Sequence, residues 1–286
     1  MNCSLHLKKL AVQRTAIIVP GVANALSARV IALNGFEAVY VSGAGLSNTF
    51  IGKPDIGLLT LAELVDNLFR IRDVVDIPIV VDADTGFGNE VGVNHCIRAL
   101  ERAGANAIQI EDQAFPKRCG HFRSKKLIPV DEMVSKIKSA LDSRCDQNMM
   151  IISRTDAVAV NGLDDALDRA SAYIEAGADM TFVEAPQNEE DLEKIATHLS
   201  APQVANMVIG GQTPLLKRCA LKKMGFGFIL YANVALQASL LGMKNALEYL
   251  KNNQSMEGGE ELVVDFEERQ AYVNKAVYDE LEKKYA

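Results

Sequence analysis

Short, near-continuous apolar runs alternate along the chain with longer stretches in which apolar residues recur every third or fourth position. The runs fall at 15–20, 38–42, 78–82, 107–111, 149–154, 180–184, 202–207 and 226–231. Unbroken apolar runs of this length fit strands covered on both faces. The periodic stretches at 23–33, 60–75, 89–103, 131–144, 163–176, 188–199, 213–224 and 234–250 fit helices. Their ends carry the expected punctuation. Thr60 followed by Glu63 reads as a capping box, Thr213-Pro214 as a cap and first helical residue, and Gly104 and Gly177 as closures. Residues 1–13 read as an entry helix. Repeated strand-then-helix units predict an α/β fold, a closed (β/α)8 TIM barrel spanning 1–286 as one domain, with an open doubly wound sheet as runner-up. Residues 251–261 are polar, contain Gly258-Gly259 and read as a flexible linker. Beyond them Leu262, Phe266, Val273, Val277 and Leu281 mark one further amphipathic helix, a C-terminal extension within 251–286. It is surplus to the barrel, and exchange between subunits of a homo-oligomer would give it a partner.

Composition narrows the partners. A formal net charge of -7 over 286 residues argues against binding a nucleic acid backbone. No apolar run is long enough to cross a bilayer, and residues 1–10 lack the apolar segment of a signal peptide. The five cysteines are scattered and form no Cys-x-x-Cys pair, which fits the cytoplasm rather than a disulfide framework. Cys96 and Cys219 lie in helical stretches and read as packing residues.

Candidate chemistry gathers at the C-terminal ends of the strands, where such barrels place their active sites. Asp82 and Asp84 stand two apart on what reads as an extended run, so both carboxylates point one way. Paired carboxylates repel unless a cation or proton lies between them, and magnesium takes one or two such ligands and keeps waters. Glu111, ending the fourth strand, would support the metal directly or through water. Anion holders face them: Ser42, Gly43 and Ala44 as a hydroxyl and amide cradle, and Arg154 as a bidentate carboxylate binder or an ion pair with Asp156 or Glu184. Gly210-Gly211 before the Thr213 helix start would make a second anion site. Strand seven ends at Asn206. After strand four, Lys117-Arg118-Cys119-Gly120-His121 sets a thiol among cations that attract anions, beside a glycine that admits a ligand closely.

With these residues placed, the sequence resembles the isocitrate lyase and phosphoenolpyruvate mutase superfamily over nearly its full length. The matching pieces are Ser42-Gly43-Ala44-Gly45, Pro54-Asp55-Ile56-Gly57, Asp82-Ala83-Asp84-Thr85-Gly86, Glu111-Asp112-Gln113, Lys117-Arg118-Cys119-Gly120-His121, Arg154-Thr155-Asp156 and Glu184-Ala185-Pro186. The loop is similar to that of the carbon–carbon lyase branch, the methylisocitrate and 2,3-dimethylmalate lyases, and it also occurs in a carboxyphosphonoenolpyruvate mutase. The resemblance implies a magnesium enzyme, with manganese as the alternative ion. Asp82, Asp84 and Glu111 would stand at the metal, and Ser42, Gly43, Ala44, Asp55, Gly120, Arg154 and Asn206 around a small carboxylate substrate. It implies a homotetramer with an exchanged barrel helix and cleavage of a 2-hydroxy di- or tricarboxylate to a 2-oxo acid such as pyruvate. Cys119 would be the acid, Lys117, Arg118 and His121 the positive potential, and Tyr40, Glu184 or a metal-bound water the base. Phosphonate mutase or hydrolase chemistry, oxaloacetate decarboxylation and a non-catalytic metabolite-binding barrel are the alternatives. Ile209 stands where the lyase branch usually has a glutamate, and Ala232 follows Tyr231 where proline is frequent.

Overall fold

The computed structural model describes residues 2–118, 120 and 125–286. Its strands are β1 (Ile17–Val22), β2 (Val39–Val41), β3 (Ile79–Asp82), β4 (Ala107–Glu111), β5 (Met150–Thr155), β6 (Met180–Val183), β7 (Gln203–Asn206) and β8 (Phe228–Tyr231). All pair in parallel in chain order, and β8 returns to β1, so the barrel is closed and the open sheet is excluded. The register sets Asp82 opposite Gln109 and Glu111 opposite Arg154, which brings the polar strand ends to one rim.

Three apolar layers hold this arrangement. Ile17, Val19, Tyr40, Val80, Met150, Ile152, Phe182, Val204 and Phe228 fill the barrel interior. Leu7 and Ala11, from the entry helix Cys3–Val12, join that cluster. The helix corks the end opposite the polar rim, with the Ala11 carbonyl against Gly227 just before β8. Outside the barrel, two clusters seat the helices. One is built on residues such as Leu68, Ile97 and Ile137, the other on Leu167, Ile195 and Leu221. The Thr60 capping box forms as expected, Thr60 Oγ1 accepting from the Glu63 amide and Glu63 from the Thr60 amide.

Five local readings are corrected. Gly43–Phe50, to which no element was assigned, is a helix, and Ser42 caps it. Thr213-Pro214 opens no helix; that helix is Arg218–Met224 with Lys217 at its cap. Leu216 packs against the outer cluster and its amide donates to Met207 Sδ at 3.5 Å, while Thr213 Oγ1 has no hydrogen-bond partner and caps nothing. Beyond the barrel one expected helix is two, Phe266–Tyr272 and Lys275–Tyr285, broken at Asn274 with φ 59, after a short 3-10 turn at Glu260–Leu262. The Gly258-Gly259 stretch is tied down rather than free: Tyr249 donates its hydroxyl to the Glu257 carbonyl at 2.8 Å and its ring lies against Gly259. Cys96 is buried as expected, whereas Cys219 is exposed and packs into no core.

Candidate active site

β3 ends at Asp82, and the chain leaves it through a tight turn in which Asp84 takes a left-handed φ of 50. The Gly86 amide donates to the Ala83 carbonyl at 2.8 Å and the Asp84 amide to Asp82 Oδ1 at 3.2 Å. The two carboxylates therefore converge through a turn, and the extended run read from the sequence is not the reason. Opposite them stands Gly43. A Cβ there would lie 3.2 Å from Asp84 Oδ1 and 3.3 Å from Asp82 Oδ2, so glycine lets a helix start close against the acid pair. Ser42 Oγ accepts from the Gly45 amide at 3.1 Å as that helix's cap. The Gly43–Ala44 end presents positive potential to an anion in the mouth. Gly210-Gly211 precedes no helix and offers no such end.

Lys117 is buried, its Nζ 2.5 Å from Asp55 Oδ1 and 2.6 Å from Asp84 Oδ1. The second approach is close but out of line, for Asp84 Oδ1 has no hydrogen-bond partner. Withdrawal from water pushes the Asp84 carboxyl up to about 7, with Lys117 pulling the other way and Asp82 adding to the rise. Burial tends to discharge Lys117, but Asp84 and Glu111 outweigh it and raise its pKa. Glu111 is raised well above the ordinary carboxylate range, first by burial, against the pull of Arg154. Its Oε2 lies 3.4 Å from Arg154 Nε, and its Oε1 has no partner. Tyr40 is raised well above a free phenol by burial and then by Asp82, which favours the neutral hydroxyl. Among the described residues no three carboxylate, imidazole or thiol groups stand close enough to form a metal cluster. The unpartnered, buried Asp84 Oδ1 and Glu111 Oε1 nevertheless make an oxygen-only donor set, which fits a hard divalent cation that keeps waters.

Across the mouth, Arg154 is held on all sides. Its Nε and Nη2 each donate to Asp156 at 3.0 Å, Nη2 lies 3.2 Å from Glu184 Oε2, and the guanidinium sits 5.2 Å over the Phe182 ring. It is thus both an ion pair and a lining residue. Asn206 donates weakly to Glu184 Oε2 at 3.5 Å and keeps its Oδ1 free of protein partners. Gly120 presses against Arg154, and a Cβ on it would meet Glu184 Oε2 at 2.6 Å.

One pocket collects most of the expected residues: Tyr40, Ser42, Ala44, Asp55, Asp82, Glu111, Lys117, Arg118, Gly120, Arg154, Glu184 and Asn206. Gly43 and Asp84 stand directly against it. Cys119 and His121 lie outside the described residues. Phe182, Val208 and Ala232 also line the pocket and were missed, because apolar positions at strand ends read as core; polar Asn233, just before the helix Val234–Asn253, lines it too. Gln109, whose Nε2 donates to Asp82 Oδ1 at 3.3 Å, had a signal: it is a polar residue inside an otherwise apolar strand. Ile209 is 53% exposed and does not line the pocket.

The barrel gathers its buried acids and Arg154 around one mouth at the C-terminal ends of its strands, where barrel enzymes place their active sites. The chain belongs to the phosphoenolpyruvate phosphomutase family, whose model matches residues 7–251. It is 39% identical over 286 residues to a 2,3-dimethylmalate lyase of Eubacterium barkeri, covering 100% of this chain and 99% of that protein. To a 2-methylisocitrate lyase of Aeropyrum pernix it is 42% identical over 243 residues, 85% of this chain and 78% of that one. A crystal structure of 2,3-dimethylmalate lyase, a member of the phosphoenolpyruvate mutase and isocitrate lyase superfamily, matches with a TM-score of 0.92 at 29% identity. It covers 100% of this chain and 96% of that one. The chain is an enzyme of the lyase type, as the motifs implied. Among the described residues no helix is long and apolar enough to cross a membrane.

Proposed function

We propose that this enzyme cleaves the C2–C3 bond of a 2-hydroxy di- or tricarboxylate of the 2,3-dimethylmalate or 2-methylisocitrate kind. The products are a 2-oxo acid such as pyruvate and a second carboxylate. The observation that carries this reading is the division of the mouth. Asp82 and Glu111, whose Oε1 has no partner, line one side with Asp84 directly behind them, and the Arg154 guanidinium and the helix end at Ala44 line the other. Such a mouth suits a substrate that carries both a carboxylate and a hydroxyl.

Asp82, Asp84 and Glu111 would hold magnesium, or manganese in its place. When bound, the cation supplies positive charge to the 2-hydroxyl oxygen and the neighbouring carboxylate. The chain's own groups do the rest. The Gly43 and Ala44 amides orient the C1 carboxylate, Arg154 and Asn206 the distal one. Glu184 takes the hydroxyl proton, and the C2–O bond becomes a carbonyl as C2–C3 breaks. The electron pair stays on C3, conjugated to the second carboxylate, where Lys117, Arg118 and His121 offset its charge. Cys119 gives C3 its proton; a free thiol, with a pKa of about 8.5, is mostly protonated at neutral pH. Gly120, its neighbour in the chain, lies against Arg154 and Glu184, which supports placing the thiol in the reaction.

Pyruvate release from 2,3-dimethylmalate, 2-methylisocitrate, oxaloacetate and phosphonopyruvate, measured side by side, tests the reading. Release from one of the two hydroxy acids, lost in chelator and restored by magnesium, is expected. Release from phosphonopyruvate or oxaloacetate alone would overturn it in favour of phosphonate or decarboxylase chemistry.

The protein also acts as a homo-oligomer, a tetramer by resemblance, in the cytoplasm. In support, Val234–Asn253 runs 20 residues without one buried side chain, and Leu240, Leu241 and Leu247 are each more than half exposed. A partner's barrel would cover them. Light scattering at micromolar concentration should return a multiple of the 31.1 kDa chain mass, and a monomer mass would refute the assembly.

A further inference from the structure

We propose that Lys125 is a positioning residue for the reaction, acting through the backbone carbonyl of Gly120. Its side chain is 1% exposed, and its Nζ donates to Asp156 Oδ1 at 2.7 Å and to the Gly120 carbonyl at 2.5 Å. Charge balance accounts for an ammonium beside Asp156. It does not account for the second bond, which ties the loop backbone to the barrel wall.

Both ends of that tie are fixed. Asp156 is gripped by two Arg154 donors at 3.0 Å, and its amide donates to Asp112 Oδ1, also at 3.0 Å. Asp112 Oδ2 in turn accepts from Thr155 Oγ1 at 2.7 Å and from the Tyr173 hydroxyl at 2.9 Å. An unbroken run of buried hydrogen bonds thus leads from the helix Leu163–Glu175 to Gly120. At the other end Gly120 is pressed so closely on Arg154 and Glu184 that a Cβ there would have to displace the Arg154 guanidinium or the Glu184 carboxylate. Lys125 therefore sets how far the chain at Gly120 approaches the two groups that face the substrate. Cys119 is its immediate neighbour, so the same bond governs where the thiol is delivered. A catalytic group displaced by about an ångström can cost up to about a hundredfold in rate.

The inference rests on the lyase reading in which Cys119 donates the proton, so its test has an arm that needs no turnover. Lys125→Met and Lys125→Arg are compared with the wild-type enzyme in three measurements. These are kcat and KM on the best hydroxy acid, melting temperature, and the rate of Cys119 alkylation by iodoacetamide followed by peptide mass spectrometry. Lys125→Met should lower kcat by about tenfold to a hundredfold with KM changed much less. It should also change the alkylation rate at Cys119 by at least about threefold, while buried Cys96 stays unreactive. Lys125→Arg keeps the charge and N–H donors and should recover part of both. Alkylation at the wild-type rate in Lys125→Met would overturn the proposal. So would a kcat loss that Lys125→Arg does not relieve and that tracks the melting temperature. If the wild-type enzyme turns over no hydroxy acid, the lyase reading fails, and the alkylation arm still decides the role of Lys125.

Discussion

Asp84 and Asp156 both stand at the mouth of one barrel with a lysine ammonium close by, at 2.6 Å from Lys117 and 2.7 Å from Lys125, and their surroundings treat them in opposite ways. Asp84 shares its lysine with Asp55, has Asp82 as a neighbour, and keeps an oxygen without a hydrogen bond; its carboxyl is pushed up to about 7. Asp156 meets two cations, Lys125 and an Arg154 that also reaches Glu111 and Glu184. Burial alone would raise it, but Arg154 and Lys125 outweigh burial and hold it at about 2. One acid is short of positive charge and the other is fully supplied. The shortage lies where a ligand cation can relieve it, and the full supply lies where the wall must not move. Buried acids of one barrel can thus be sorted into ligand-seeking and wall-building by what their oxygens already hold.

The largest effect expected of that contrast is at Asp84. Asp84→Asn should lower kcat/KM by about 10³-fold or more, since a bound cation contributes several kcal/mol to the transition state. The melting temperature of the metal-free protein should hold steady or rise, because a strained charge has gone. Activity within tenfold of wild type would end the assignment of this acid to the cation. Asp156→Ala should do the reverse to the fold. Removing one member of a buried ion network costs about 3–5 kcal/mol, read as a lower urea midpoint at unchanged slope. A midpoint equal to that of wild type would show that Arg154 and Lys125 do not depend on it.

Acid sharpens the contrast further. The folded value of Asp156 lies below the roughly 3.9 of an unfolded aspartate. Its contribution is therefore present above about pH 4 and drains away as pH falls towards 2. Urea midpoints taken between those limits should fall more steeply for wild type than for Asp156→Asn; parallel curves would contradict the depressed value. The smallest effect should come from Tyr173→Phe, which removes one donor to Asp112 and keeps the ring. A loss of about 1–3 kcal/mol is expected for a hydrogen bond to a charged group, with kcat moved less than by Lys125→Met. An unchanged urea midpoint would place Tyr173 outside the supporting network.

Much of this was open to reading from the chain alone, for physical reasons that differ by element. The barrel strands announce themselves because burial on both faces demands unbroken apolar runs such as 79–81 and 150–152. Asp82, Glu111, Arg154 and Glu184 stand out because charges at the ends of such runs need a purpose. The helix Gly43–Phe50 was hidden because Gly43 and Gly45 disfavour helix by local propensity, while the close approach to Asp82 and Asp84 requires one of them. The start expected at Thr213 failed because Thr213 Oγ1 accepts from no amide: Leu216 packs against the outer cluster and the helix begins only at Arg218. Lys125 could not have been found, since its value depends on Asp156, 31 residues away in sequence. The break at Asn274 went unseen because the apolar spacing continues across it.

The cork at the far end of the barrel has a consequence for traffic. Leu7 and Ala11 pack into the core at that end, being 0% and 1% exposed. Whatever enters at the acid-lined rim must leave by it, and a cleavage makes two departures from one arrival. The fragment nearer the opening goes first, and the one seated deeper, against Asp82 and Asp84, waits behind it. Release is then ordered by depth. The deeper product should compete with substrate for the free enzyme, while the shallower one should bind only when the deeper is still in place. Product-inhibition patterns would read that order directly, and from it the direction in which the substrate lies in the mouth.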